Sequence, residues 1–170
     1  MRLNIFESLD IAISAPTINL KLDGEYVKNI DQFEFISGVK TSISKLSKIF
    51  KRILIITNQQ GIAKGIMLDN DLVVLHEYML CELKKNGGVI DRIYYCPHLS
   101  SENCNCRKPN PGMIQKAMID FPEIKLAQSY LIGDSDTDII AGNKMGLITV
   151  KVDNEYTLSK WCDELLCVIK

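Results

Sequence analysis

Short apolar runs alternate along this chain with longer segments whose apolar residues recur at helical spacing. Residues 3–6, 53–57, 92–96, 130–133 and 147–152 are rich in Ile, Val, Leu and Tyr, the pattern of strands buried on both faces. Between them, Val39, Ile43, Leu46, Ile49 and Phe50 fall on one stripe of a helix over 39–50. Leu72, Leu75, Met79 and Leu83 do the same over 71–85. Pro111 suits the first turn of a helix over 111–120, Gly146 is a natural stop for one over 136–145, and Thr157 is placed to cap a last helix reaching Leu166. Strand and helix in alternation predict an α/β fold, a central parallel sheet with helices on both faces. No repeat and no Pro/Gly/Ser-rich linker divides the chain, so residues 1–170 are expected to form a single domain.

In such a sheet ligands gather beyond the carboxyl ends of the strands, and the polar residues there are informative. Ser8 and Asp10 follow the first run, and Thr57 and Asn58 close the second. Asp134, Asp136 and Asp138 follow the fourth, and Lys108 arrives on the loop after Cys106. A hydroxyl, a lysine and carboxylates at one sheet edge suit a phosphate held by donors and a cation, with Mg²⁺ on the carboxylates. Each alone is also what a turn or a helix N-terminus carries: Thr57-Asn58 fits a turn, Asp136 fits a first-turn cap, and Lys64 fits a solvated loop charge.

A second constellation is more specific. Cys96-x-His98-x5-Cys104-x-Cys106 sets three thiols and an imidazole in one short loop, the Cys₃His set of a tetrahedral structural zinc site. With four protein ligands there is no open position for a catalytic water. The expected role is to staple the loop that delivers Arg107 and Lys108. Cys81, Cys162 and Cys167 lie on helical patterns and are expected as small core residues, and His76 as structural or exposed.

Charge narrows the partners. The 20 Lys+Arg and 21 Asp+Glu are interspersed and sum to −1, so no basic face addresses a nucleic acid or an anionic membrane. No apolar run approaches the ~20 residues of a membrane-spanning helix, and Glu7 and Asp10 interrupt any secretory apolar core. A cytoplasmic protein with reduced cysteines is expected.

The ordered motifs Gly24-Glu25-Tyr26-Val27-Lys28-Asn29, Thr57-Asn58-Gln59-Gln60-Gly61-Ile62-Ala63-Lys64-Gly65, Tyr94-Tyr95-Cys96-Pro97-His98, Cys104-Asn105-Cys106-Arg107-Lys108-Pro109-Asn110-Pro111-Gly112 and Ile132-Gly133-Asp134-Ser135-Asp136-Thr137-Asp138 resemble the haloacid dehalogenase superfamily, among its capless phosphatases. The resemblance covers nearly the whole chain and implies a Rossmann-like core with no large cap domain. In that family an aspartate ending the first strand attacks phosphorus. A second, two residues on, protonates the leaving oxygen and then activates water, in the pattern Asp-x-Asp-Gly-Thr/Val.

Set on Ile5-Phe6, the pattern puts Ser8 at the nucleophile, Asp10 at the acid/base, Ile11 at the glycine and Ala12 at the Thr/Val. Residues 14–22 are then an insertion longer than the family norm. The resemblance further implies Thr57 or Asn58 and Lys108 on the transferring phosphate, and Arg107 on a substrate oxygen. It puts Asp134 and the Asp10 carbonyl on Mg²⁺, and Asp138 behind Lys108 or the metal's waters. The implied activity is Mg-dependent removal of the 7-phosphate from a heptose 1,7-bisphosphate for cell-surface polysaccharide synthesis, with histidinol phosphate as the alternative substrate and a monomer as the expected state. A serine at the nucleophile position turns the expectation toward little or no turnover, a weakened Mg²⁺ site, and a pseudophosphatase that binds a small phosphorylated sugar or related phosphomonoester as a binding or regulatory module.

Overall fold

Side chains that alternate between two faces define the sheet. The computed structural model describes residues 10–20 and 26–169. Strands β1 (Asp10–Ser14), β2 (Arg52–Asn58), β3 (Arg92–Cys96), β4 (Tyr130–Gly133) and β5 (Ile148–Lys151) form one sheet in the order β3-β2-β1-β4-β5, with every pairing parallel. Helices α1 (Val39–Leu46), α2 (Asp69–Lys85), α3 (Gly112–Asp120), α4 (Asp136–Met145) and α5 (Leu158–Ile169) cover it. Ile11, Ile13, Ile53 and Ile55 pack on one face with Ile43 of α1, Met79 and Leu83 of α2, and Trp161 of α5. Leu54, Ile56 and Leu131 pack on the other with Met113, Ile114 and Ala117 of α3 and Ala141 of α4. The sheet is therefore buried on both sides, as its continuous apolar runs require.

Four of the five expected strands lie where the apolar runs place them. The run at 3–6 falls outside the described residues, and the first described strand is 10–14. Helix α1 ends at Leu46, short of the expected residue 50, where the Ser47 hydroxyl turns back to donate to the Ile43 carbonyl at 2.7 Å. Helix α5 continues past Leu166 to Ile169, with the Lys160 N–H donating to Thr157 Oγ1 at 3.3 Å at its start. Cys162 is buried, but Cys81 and Cys167 are exposed on their helices, contrary to the expected core placement. Among the described residues no helix is long and apolar enough to cross a membrane.

Strand β1 is central, with β2 on one side and β4 on the other. The chain leaves β1 toward β2 and β3 and returns on its far side as β4 and β5. The carboxyl end of β1 is thus the topological switch point, where α/β sheets leave a crevice.

Candidate functional site

At that switch point β1 ends in Ser14, which is 1% exposed. The chain then turns sharply through Ala15–Thr17, where the Thr17 hydroxyl donates to the Ser14 carbonyl at 2.7 Å. The Lys108 ammonium, on a residue 5% exposed, donates to Ser14 Oγ at 2.9 Å and to the Ile56 carbonyl at 3.0 Å, and pairs with Asp138 Oδ1 at 2.6 Å. Residues from the ends of β1 and β2 and from the first turn of α4 thus converge on one cation.

The backbone of Lys108 is held as firmly as its side chain. Asn58 Nδ2 donates to the Lys108 carbonyl at 3.2 Å, and the Lys108 N–H donates to Asn58 Oδ1 at 3.1 Å. The amide of Asn58, expected on the ligand, is therefore spent on orienting Lys108. Thr57 is buried beside it and accepts from Gln59 Nε2 at 3.0 Å. The other oxygen of Asp138 accepts from the Ser135 N–H at 3.1 Å and the Ser135 hydroxyl at 2.7 Å, closing a capping box at the start of α4. Gly133 permits this approach: a Cβ there would lie 2.3 Å from the Asp138 Cβ.

At the rim, Arg107 donates to the His98 carbonyl at 3.1 Å and to Gln60 Oε1 at 3.2 Å. Gln60 Nε2 and Lys64 Nζ both donate to the Tyr26 hydroxyl, at 2.8 and 3.1 Å. Lys64 is therefore tied to Tyr26, beyond the solvated charge expected of it. Asp136 is exposed and pairs with Lys151 at the end of β5.

Asp10 stands elsewhere. It opens β1 at the opposite edge of the sheet, about 13 Å from Ser14 by the strand rise. It cannot share a metal or a proton with Asp134, Lys108 and Thr57, which corrects its expected acid/base and Mg²⁺ roles. Its carboxylate is buried among apolar side chains with no hydrogen-bond partner among the described residues, and burial pushes its pKa up to about 6. Ser8 lies outside the described residues. The serine that ends the central strand and meets Lys108 is Ser14, and Pro16 stands two residues beyond it. The surplus length at 14–22 was the signal for this register, together with the alternation of Ile11 and Ile13.

The zinc-type loop is drawn together as its spacing predicts. One ligand atom from each of Cys96, His98, Cys104 and Cys106 lies within 4.8 Å of the others, a metal-binding group. Cys96 Sγ is 3.5 Å from both His98 Nδ1 and Cys104 Sγ and 3.0 Å from Cys106 Sγ, while Cys106 Sγ is 3.2 Å from His98 Nδ1. These spacings are close to the ~3.5–3.8 Å edges of a tetrahedron with metal–sulfur bonds of ~2.3 Å. Burial pushes the Cys96 thiol up to about 12, so a metal would displace protons on entering. The loop is braced by Asn110 Nδ2, which donates to the Cys104 carbonyl at 2.9 Å, and by the Gly112 N–H, which donates to the Asn105 carbonyl at 3.0 Å.

The strand ends offer fewer carboxylates for magnesium than the resemblance implies. Ser14 brings a neutral hydroxyl where the resemblance implies a carboxylate, Asp138 is committed to Lys108 and Ser135, and Asp136 to Lys151. Among the described residues, the Cys/His group is the one cluster of three or more such side chains close enough to share an ion. Mg²⁺ demands near-ideal octahedral oxygen ligation, usually anchored by one or two carboxylates. Asp134, directly after β4, is the carboxylate the resemblance implies there, so the strand ends present one anionic ligand in place of two.

Comparisons with known proteins place the chain in a family. A family model described as HAD-hydrolase-like matches residues 105–165. The chain is 39% identical over 137 residues to D-glycero-beta-D-manno-heptose-1,7-bisphosphate 7-phosphatase of Haemophilus ducreyi, a match covering 76% of this chain and 75% of that protein. It is 36% identical over 122 residues to D-glycero-alpha-D-manno-heptose-1,7-bisphosphate 7-phosphatase of Mycobacterium bovis. That match covers 72% of this chain but spans only 64% of the mycobacterial relative's length. The crystal structure of D,D-heptose 1,7-bisphosphate phosphatase from B. bronchiseptica, complexed with magnesium and phosphate, superposes with a TM-score of 0.85 at 26% identity, covering 95% of this chain and 99% of that one.

Proposed function

We propose, since this chain belongs to the haloacid dehalogenase superfamily and within it to the heptose 1,7-bisphosphate 7-phosphatase family, that it is a pseudophosphatase. It binds a phosphorylated sugar or related phosphomonoester at the carboxyl ends of β1, β2 and β4 without turning it over at an enzymatic rate. The observation that carries this reading is Ser14 at the end of the central strand. A serine attacks phosphorus only if a base takes its proton. Lys108 is a cation paired with Asp138 that donates into Ser14 Oγ, so it is no such base. Pro16 stands where the family pattern, set on Ser14, requires a carboxyl group, and it has no proton to exchange. Loss of a nucleophile typically costs about 10⁴–10⁶ in turnover.

Binding uses the groups that remain. Lys108 neutralises the phosphate, the Thr57 hydroxyl bonds one of its oxygens, and Arg107 reaches an oxygen of the organic part. Asn58 and Asp138 position Lys108, and Asp134 adds negative charge that disfavours a dianion unless these cations offset it. The Cys96, His98, Cys104 and Cys106 group takes a structural Zn²⁺, whose bonds fix the loop carrying Arg107 and Lys108. We further infer a single-domain cytoplasmic monomer. The six free cysteines suit a reducing compartment.

Phosphorus NMR with inorganic phosphate and with heptose 1,7-bisphosphate tests this function. The phosphate resonance is expected to broaden and shift on adding protein, less so with Thr57→Ala, while the bisphosphate persists for hours with Mg²⁺ present. Phosphate release at an enzymatic rate, or no perturbation of the phosphate signal, would overturn it.

A further inference from the structure

Beside Ser14 the molecule opens into a cleft of about 260 Å³, between the Ala15–Pro16 turn and the inner face of α2. It borders the phosphate position directly. Ala15 and Pro16 follow Ser14 in the chain, and Thr57 and Asn58 lie at the carboxyl end of β2. At ~30 Å³ per water in the liquid the volume corresponds to about nine waters, room for one ring.

The chemistry of its lining is one-sided. Phe33, Leu72, Leu75 and Met79 form an apolar wall. Much of its polar lining is already engaged: Asn58 holds the Lys108 backbone, Gln59 bonds Thr57, and the Tyr26 hydroxyl takes Gln60 and Lys64. Among the described residues no lysine, arginine or carboxylate lines the cleft, and Lys64 meets it at the Tyr26 hydroxyl on the rim. His76 is the exception among these polar groups. It contacts Tyr95 edge-on at 6.1 Å and makes no hydrogen bond among the described residues. Burial holds its imidazole down to about 4, so it is neutral at pH 7 and offers one donor and one acceptor. A second phosphate placed against the apolar wall would be stripped of water with no cation among the described residues of that wall to meet it, whereas an uncharged ring would bury apolar surface and still find a polar partner.

We infer that this cleft binds the uncharged, largely apolar organic group of a phosphomonoester whose phosphate lies at Ser14, Thr57 and Lys108, so that the site selects a ring-sized apolar group over a charged one. This rests on the phosphate-binding function proposed above and specifies its ligand class.

The test is calorimetric titration of the full chain with inorganic phosphate, methylphosphonate and phenylphosphonate, none of which carries an ester to hydrolyse. Phenylphosphonate is expected to bind ~10-fold more tightly than methylphosphonate, from burial of its ring. Leu75→Phe, which fills the cleft, should erase that advantage and leave inorganic phosphate unchanged. In the unsubstituted protein, phenylphosphonate but not phosphate should shift the His76 ring-proton resonances, a readout that survives if Leu75→Phe fails to fold. Equal affinity for the two phosphonates, or an unmoved His76, would refute the cleft while leaving phosphate binding intact. No binding of any of the three would refute the phosphate-binding function and this inference with it.

Discussion

Asp10, which opens β1, and Lys108, on the loop before α3, are both buried ionisable residues, and their consequences are opposite. Asp10 has no hydrogen-bond partner among the described residues, and burial, only partly offset by the charges of Lys51 and Arg52, raises its pKa from 3.8 to about 6. Between those values the folded protein binds a proton that the unfolded chain has released, so stability falls as the pH rises from about 4 through about 6 and stays low above it. Asp10→Val is expected to stabilise the fold by about 2–3 kcal/mol at pH 7 and by little at pH 4. The valine adds volume beside a small apolar cavity of about 30 Å³ lined by Leu54, Ile114 and Ala117. Denaturant melts at the two pH values measure this, and equal gains at both would contradict it. Lys108 and Asp138, by contrast, neutralise each other at 2.6 Å. Lys108→Met strands a buried carboxylate and should cost about 3–5 kcal/mol, most of which Lys108→Met with Asp138→Leu should recover. If the double variant is less stable than the single, the pair is not what makes the single substitution costly.

At the scale of elements, the loop from Cys96 to Gly112 joins the metal-binding group to the ligand position. Protein made with zinc available should carry about one zinc per chain, lost on acidification as the thiolates take protons. Its removal should speed amide exchange in residues 96–108 before it affects α5. Zinc-free protein with unchanged exchange would show that the loop needs no metal. This loop was readable in the sequence because four ligands at fixed spacing leave few alternatives. The last four strands were equally legible, since strands buried on both faces are continuous apolar runs. The first strand was not. Asp10–Ser14 is headed by a carboxylate and closed by a hydroxyl, so a search for apolar runs favours residues 3–6 instead. Its position is set by what surrounds it: β2 and β4 pair with it on either side, and Lys108 meets its last residue. Asn58 shows a second limit. Its residue type suits a phosphate ligand, and only the fold shows its amide closed on the Lys108 backbone.

At the scale of the whole molecule, the proposed function rests on a parallel sheet with a switch-point crevice, a buried lysine and a Cys/His loop, with a serine and a proline where the family pattern, set on Ser14, has carboxylates. On that proposal, the parts that hold a ligand and the parts that would transform it are separate. The first are built from three strand ends and a braced loop, the second from Ser14 at the end of β1 and Pro16 in the turn after it. The most direct measurement is phosphate release from heptose 1,7-bisphosphate and an aryl phosphate with Mg²⁺, run on the unsubstituted chain beside Ser14→Asp with Pro16→Asp. The account predicts no release above background from the unsubstituted chain, with activity appearing only where the carboxylates are restored. Sustained turnover by the unsubstituted chain, whether or not Ser14→Ala abolishes it, would contradict it.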